Sequence, residues 1–145
     1  MRVVLQRVRS ASVRVADAVV GEIGVGYLLL VGIAVNDDES TARRLADEVA
    51  KARLMPDSQG KMGVSLREAD GQALAVSQFT LLADFSQGNR PSFHAAAKPD
   101  VAQPLFDLFV RELSLRLDRA VPTGVFGADM RVELVNDGPV TIVLE

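Results

Sequence analysis

Early in the chain the apolar residues come in short bursts with the period of a strand. Val3-Val4-Leu5-Gln6-Arg7-Val8 is rich in β-branched residues and predicts a strand. Ala11 to Val15 alternates through Ser12, Val13, Arg14 and Val15, the signature of a strand with one wet face. Val19-Val20-Gly21-Glu22-Ile23 predicts a further short strand. Gly24 and Gly26 then lead into Tyr27-Leu28-Leu29-Leu30-Val31, which is apolar on both faces and so belongs at the centre of a sheet.

The period then changes. Asn36-Asp37-Asp38-Glu39-Ser40 is acidic and turn-rich, and carboxylates favour the positive end of a helix. Ala42, Leu45, Ala46, Val49 and Ala52 follow at helical spacing, Lys51 and Arg53 sit in the last turn, and Pro56 stops the element. Asp57-Ser58-Gln59-Gly60 predicts a turn, and Ala73 to Leu82 a second buried strand. Ala83 to Lys98 has no period and contains Gly88 and Pro91, so a long irregular loop is expected, and such loops often carry function. Val101 to Leu117 restores the helical spacing through Ala102, Leu105, Phe106, Phe109, Leu113 and Leu117. Val121 to Phe126, Arg131 to Val135 and Val140 to Leu144 predict three more strands, with turns at Gly127 and at Asn136-Asp137-Gly138-Pro139.

About eight strands in runs and two helices argue an α+β fold, with a mainly antiparallel, barrel-like sheet and two covering helices. No linker or repeat divides residues 1–145, and 145 residues fit a single domain with a core of its own. Composition narrows the chemistry. With no Cys and one His, disulfides, thiolate nucleophiles and multi-histidine or thiolate metal sites are excluded. No acidic cluster suggests an all-oxygen site, so no metal and no cofactor is expected. The longest apolar stretch, Tyr27 to Val35, is too short to cross a bilayer, and Arg2 and Arg7 interrupt any secretory leader, so no membrane association and a cytoplasmic location are expected. A net charge of −3 gives no general attraction to nucleic acid, although sixteen Lys and Arg leave room for a local basic face.

Four groups of residues could carry chemistry. Ser77-Gln78-Phe79-Thr80 places polar side chains at the end of an otherwise apolar strand. Such groups either satisfy nearby backbone or, at a cleft, join backbone N–H donors in holding a carbonyl whose oxygen gains charge during acyl transfer. Asn136-Asp137-Gly138-Pro139-Val140-Thr141 is either a plain turn or a functional cis peptide, and the rarity of cis X–Pro bonds favours the turn from these residues alone. Ser92 and His94 are too close in sequence to be assumed a catalytic pair, and no nucleophile elbow is present. The arginines are scattered; Arg9, Arg14, Lys61 and Arg90 are weak candidates for phosphate contact.

Taken in order, Met1 to Val8, Ser77-Gln78-Phe79-Thr80-Leu81, Arg90-Pro91-Ser92-Phe93, Phe126-Gly127-Ala128-Asp129-Met130 and Asn136-Asp137-Gly138-Pro139-Val140-Thr141 closely resemble the D-aminoacyl-tRNA deacylases over essentially the whole chain. The resemblance implies a homodimer with active sites at the subunit interface. It implies hydrolysis of the ester joining a D-amino acid to tRNA, a proofreading reaction, with D-aminoacyl-tRNA as the partner. It also implies a cis Gly138–Pro139 bond, in a loop that reaches into the partner's pocket. A rigid backbone there would exclude an L side chain sterically, tolerate many D-amino acids and leave glycyl-tRNA partly cleavable. Carried over, Gln78, Phe79 and Thr80 are the expected catalytic residues. Ser77, Gln78, Phe79, Gly138, Pro139, Phe126, Met130 and Arg7 are expected to bind substrate, with Arg7 pinning the Gly138–Pro139 loop. Thr80 as nucleophile competes with a path through the terminal 2′-hydroxyl of tRNA and backbone N–H at Phe79; no base adjoins Thr80 in sequence, which favours the second. A tRNA-binding module without turnover and a small-molecule esterase using Ser92 or Thr80 with His94 are the rivals.

Overall fold

The computed structural model describes residues 1–145. The two N-terminal bursts form one continuous strand, β1 (Arg2–Val15). Its first half pairs with β3 (Gly26–Gly32) and its second half with β2 (Ala18–Ile23), both antiparallel. β3 pairs in turn with β6 (Gln72–Ser77), and this pair is parallel, so the sheet is mixed. β7 (Arg131–Leu144) runs along the other edge of β1, from Val3 opposite Leu144 to Arg14 opposite Arg131. A separate small ribbon joins β4 (Met55–Pro56) and β5 (Met62–Val64).

Both faces of the sheet are apolar, as the run at Tyr27 to Val31 predicts. Val3, Leu5, Tyr27, Leu29, Ala73 and Ala75 face the two helices. Val8, Val13, Leu28 and Leu74 make a second cluster on the opposite face, where Met130 and Val132 pack against it. The sheet is curled into a half-barrel.

Helix α1 (Glu39–Lys51) begins at Asp38, whose carboxylate accepts a 2.8 Å bond from the Thr41 amide and closes one orphan donor of the first turn. It buries Ala42, Leu45, Ala46 and Val49. Helix α2 (Pro99–Leu117) opens with proline, which loses no intrahelical bond at that position, and ends at Asp118 in the left-handed region. Arg43 reaches Glu112 and Arg116 reaches Asp47, so the two helices run in the same direction. No helix is long and apolar enough to cross a membrane.

Three expectations need correction, and one small element is unforeseen. The strand at Ala73 stops at Ser77, and Phe79–Leu82 is a 3-10 turn. Val121 to Phe126 is not a strand; it touches the sheet through one bridge, Thr123 to Ala75. The predicted strands at Arg131 and Val140 are one element, because the Asn136 side chain stands in for backbone across the Gly138–Pro139 bulge. Its Oδ1 accepts from the Val140 amide at 2.8 Å and its Nδ2 donates to the Val140 carbonyl at 3.2 Å. The ribbon of β4 and β5 is too short for periodicity to reveal.

Candidate active site

Where β6 ends, the chain must leave the sheet. The Gln78 amide still bonds to the Val31 carbonyl, at 2.8 Å, and the next four residues wind into the 3-10 turn. The first amides of such a turn have no acceptor within it and are free to face a ligand. Beside this corner lies a cavity of about 510 Å³, within the range typical of small-molecule sites. Ser77, Gln78 and Phe79 line one side. Phe126, Gly127, Ala128 and Met130 line another, and Phe93, Ala97, Lys98 and Pro99 come from the loop that leads into α2. Ser77, Gln78 and Lys98 are the only polar side chains on the wall, and Lys98 alone is charged.

Phe79 is 57% exposed, unusual for a large aromatic residue, and meets Phe93 edge to face with ring centres 5.0 Å apart. The loop that carries Phe93 is anchored at both ends. Asp84 and Ser92 exchange backbone bonds of 2.9 and 2.8 Å, and the Ala97 amide bonds to the Ile33 carbonyl at 2.9 Å. Ala83 to Lys98 is thus irregular, as its lack of period predicts, yet fixed against the end of β3.

Ser77, Gln78, Phe79, Phe126 and Met130 therefore share one cavity. Thr80 sits beside it, not in its wall, and its hydroxyl accepts a hydrogen bond from the side-chain Nε2 of Gln78. No carboxylate or imidazole bonds to that hydroxyl. The Ser92 hydroxyl accepts only from the backbone amide of His94, at 3.4 Å, and the imidazole hydrogen-bonds to neither Ser92 nor Thr80.

Arg7, Gly138 and Pro139 lie elsewhere on the protomer. Opposite Arg7 the ladder between β1 and β7 is interrupted, and the extra residues of β7 form a bulge. Arg7 fills the gap. Its Nε donates to the Asp137 carbonyl at 2.9 Å and its Nη1 to the Leu54 carbonyl at 2.7 Å. The Asp137 carboxylate stands 3.6 Å from Arg7 and 3.3 Å from Arg9. The Gly138–Pro139 peptide is cis, and both residues are exposed. Gly138 has φ of 141°, a conformation that favours glycine, and a Cβ there would stand 2.7 Å from a Val140 methyl.

Sequence reasoning left Phe93 unassigned and missed Lys98. Neither lies in a periodic segment; Phe93 closes the Arg90-Pro91-Ser92-Phe93 motif, and Lys98 is visible only as a cation next to the helix-opening Pro99.

The family described as D-Tyr-tRNA(Tyr) deacylase matches residues 4–145. A D-aminoacyl-tRNA deacylase of Roseiflexus sp. (strain RS-1) is 57% identical over 145 residues, covering 100% of this chain and 93% of that protein. One from Chromobacterium violaceum is 54% identical over 145 residues, covering 100% of this chain and 97% of that protein. Among solved structures, one described as c-Myc DNA unwinding element binding protein superposes with a TM-score of 0.93 at 36% identity, covering 100% of this chain and 98% of that one.

Proposed function

Because the chain belongs to the D-aminoacyl-tRNA deacylase family, and is a hydrolase of the ester bond in D-aminoacyl-tRNA, we propose that this ester is cleaved in the cavity beside Ser77, Gln78 and Phe79. The observation that carries the reading is the cavity itself: mostly apolar, and bounded at one corner by the opening of the 3-10 turn. The scissile carbonyl points at the Phe79 amide, which stabilises the oxyanion as it forms. Water adds to the carbonyl carbon and the bond to the ribose oxygen breaks. That oxygen takes a proton, and free D-amino acid and tRNA leave. The neighbouring ribose hydroxyl of tRNA assists the proton transfer. Gln78 and Ser77 orient the ester, and Phe126 and Met130 wall the pocket. The residues present need no metal or organic cofactor for this reaction.

Chirality is judged by shape. The Gly138–Pro139 bulge of a second copy enters the cavity and stands where an L side chain would project. Two features support this assignment. The bulge is exposed and held by Arg7 on its own protomer, and neither Gly138 nor Pro139 lines that protomer's own cavity. β7 is also an uncovered edge strand of 14 residues with none fully buried, and such edges ordinarily demand a partner. A homodimer joined through β7 meets both.

The test is hydrolysis of tyrosyl-tRNA of either hand and of glycyl-tRNA by the purified protein. The D ester is released rapidly, the glycyl ester more slowly and the L ester not above background. Equal cleavage of both enantiomers defeats the steric account, and no cleavage of any of them defeats the catalytic one.

A further inference from the structure

We propose that Lys98 holds the 5′-phosphate of the terminal nucleotide and so fixes which way the aminoacyl end enters the cavity. The inference rests on the placement of the ester given above.

Lys98 is the single charge on a wall of otherwise apolar and neutral residues. It makes no ion pair, whereas most of the cations of this protein are matched to a carboxylate. The nearest acid in sequence, Asp100, is exposed and does not line the cavity. A lone unmatched cation in an apolar wall gives a zwitterionic substrate a direction. The α-ammonium is repelled and a phosphodiester is attracted.

The backbone sets the distance. The Gln78 amide bonds to the carbonyl of Val31, and the Ala97 amide to that of Ile33. The oxyanion corner and the base of Lys98 thus hang from carbonyls two residues apart, Val31 in β3 and Ile33 just past its end, about 6–7 Å for extended chain. The flexible lysine stem covers the remainder, so the carbonyl and the cation are separated by roughly the ribose of one nucleotide. Phe93, from the same loop, lines the same cavity as Lys98 and offers an aromatic surface to the base.

The probes are adenosine and adenosine 5′-monophosphate, used as competitive inhibitors of D-tyrosyl-tRNA hydrolysis and in direct calorimetric titration. The unaltered protein binds the monophosphate about two- to fivefold more tightly than adenosine, as befits one exposed charge pair. Lys98→Met removes that preference, and Lys98→Arg keeps it. With D-tyrosyl-tRNA, Lys98→Met raises KM more than it lowers kcat and reduces the slope of log KM against log salt by about 0.7. No preference for the monophosphate in an unaltered protein that hydrolyses D-tyrosyl-tRNA overturns the proposal. So does a Lys98→Met variant that keeps the preference, or one that weakens both ligands equally. Failure of the unaltered protein to hydrolyse D-tyrosyl-tRNA is a separate result and bears on the placement of the ester.

Discussion

Thr80 carries a hydroxyl next to the cavity but nothing that would make it a nucleophile. Its partner is the neutral side-chain carboxamide of Gln78, whose Nε2 donates to the hydroxyl oxygen and makes it less, not more, nucleophilic. Thr80→Ala should therefore retain kcat/KM for D-tyrosyl-tRNA within about tenfold, read by single-turnover hydrolysis; a loss of several orders of magnitude with tRNA binding intact would restore Thr80 as the attacking group. The Ser77-Gln78-Phe79 corner was legible because polar residues at the end of a buried strand need a reason. Lys98 was not, because a surface lysine before a helix is unremarkable until the cavity beside it is seen. Deep in the sheet, Tyr27 shows how burial acts on a single group: it pushes the phenol up to about 12. The unfolded chain ionises this residue near pH 10 and the folded one does not, so the folded state loses ground as pH rises above that value. Tyr27→Phe should flatten the alkaline limb of a urea-midpoint profile.

Among the elements, β3 is the most constrained. Gly26, where it begins, faces Gln72 across the parallel ladder, and a Cβ would stand 1.8 Å from the Gln72 carbonyl oxygen. That contact is with backbone, so Gly26→Ala must part β3 from β6, and we expect it to cost about 2–4 kcal/mol in chemical denaturation. Helix α2 contributes Phe109, fully buried against the same sheet, and Phe109→Ala should cost about 3–5 kcal/mol. Strand and helix types were largely readable from period because each has a buried face. The errors fall where period has no purchase. Gly138-Pro139 has the composition of a turn, yet the side chain of Asn136 bridges the gap and β7 continues. Phe79-Thr80-Leu81-Leu82 has the composition of a strand, yet it leaves the sheet where β3 ends and no neighbouring strand remains to pair with it.

The molecule as a whole carries several carboxylates held below their ordinary range. In Asp38 the cause is the Thr41 amide, in Glu68 the Ser65 amide and in Asp84 the Ser86 amide; in Asp47 it is the Lys51 ammonium and in Glu112 the Arg116 guanidinium. Each contributes stability that is present above the unfolded value, near pH 4, and is lost as pH falls through the lower folded value. The urea midpoint should therefore be flat toward neutrality and fall below about pH 4, and Asp38→Asn, which keeps a capping oxygen, should lessen the fall. Val135 and Val143, each 56% exposed on β7, should lie at the contact between copies. Changing both to Lys should yield monomers in sedimentation analysis and a loss of D-tyrosyl-tRNA hydrolysis; a fully active monomer would remove the bulge from the site. The overall class was legible because strands and helices segregate along the chain, whereas the alternation of β7 is the same whether solvent or a second copy covers its outer edge, so the expected homodimer came from the resemblance alone. The ladder between β1 and β7 joins segments from opposite ends of the polypeptide. Loop closure over nearly the whole chain must precede this pairing, so it is expected among the last contacts to form and to place refolding toward the slow end for a domain of this size. Until that moment β1 offers one bare edge to any other nascent chain, and crowding during synthesis is the hazard this arrangement carries.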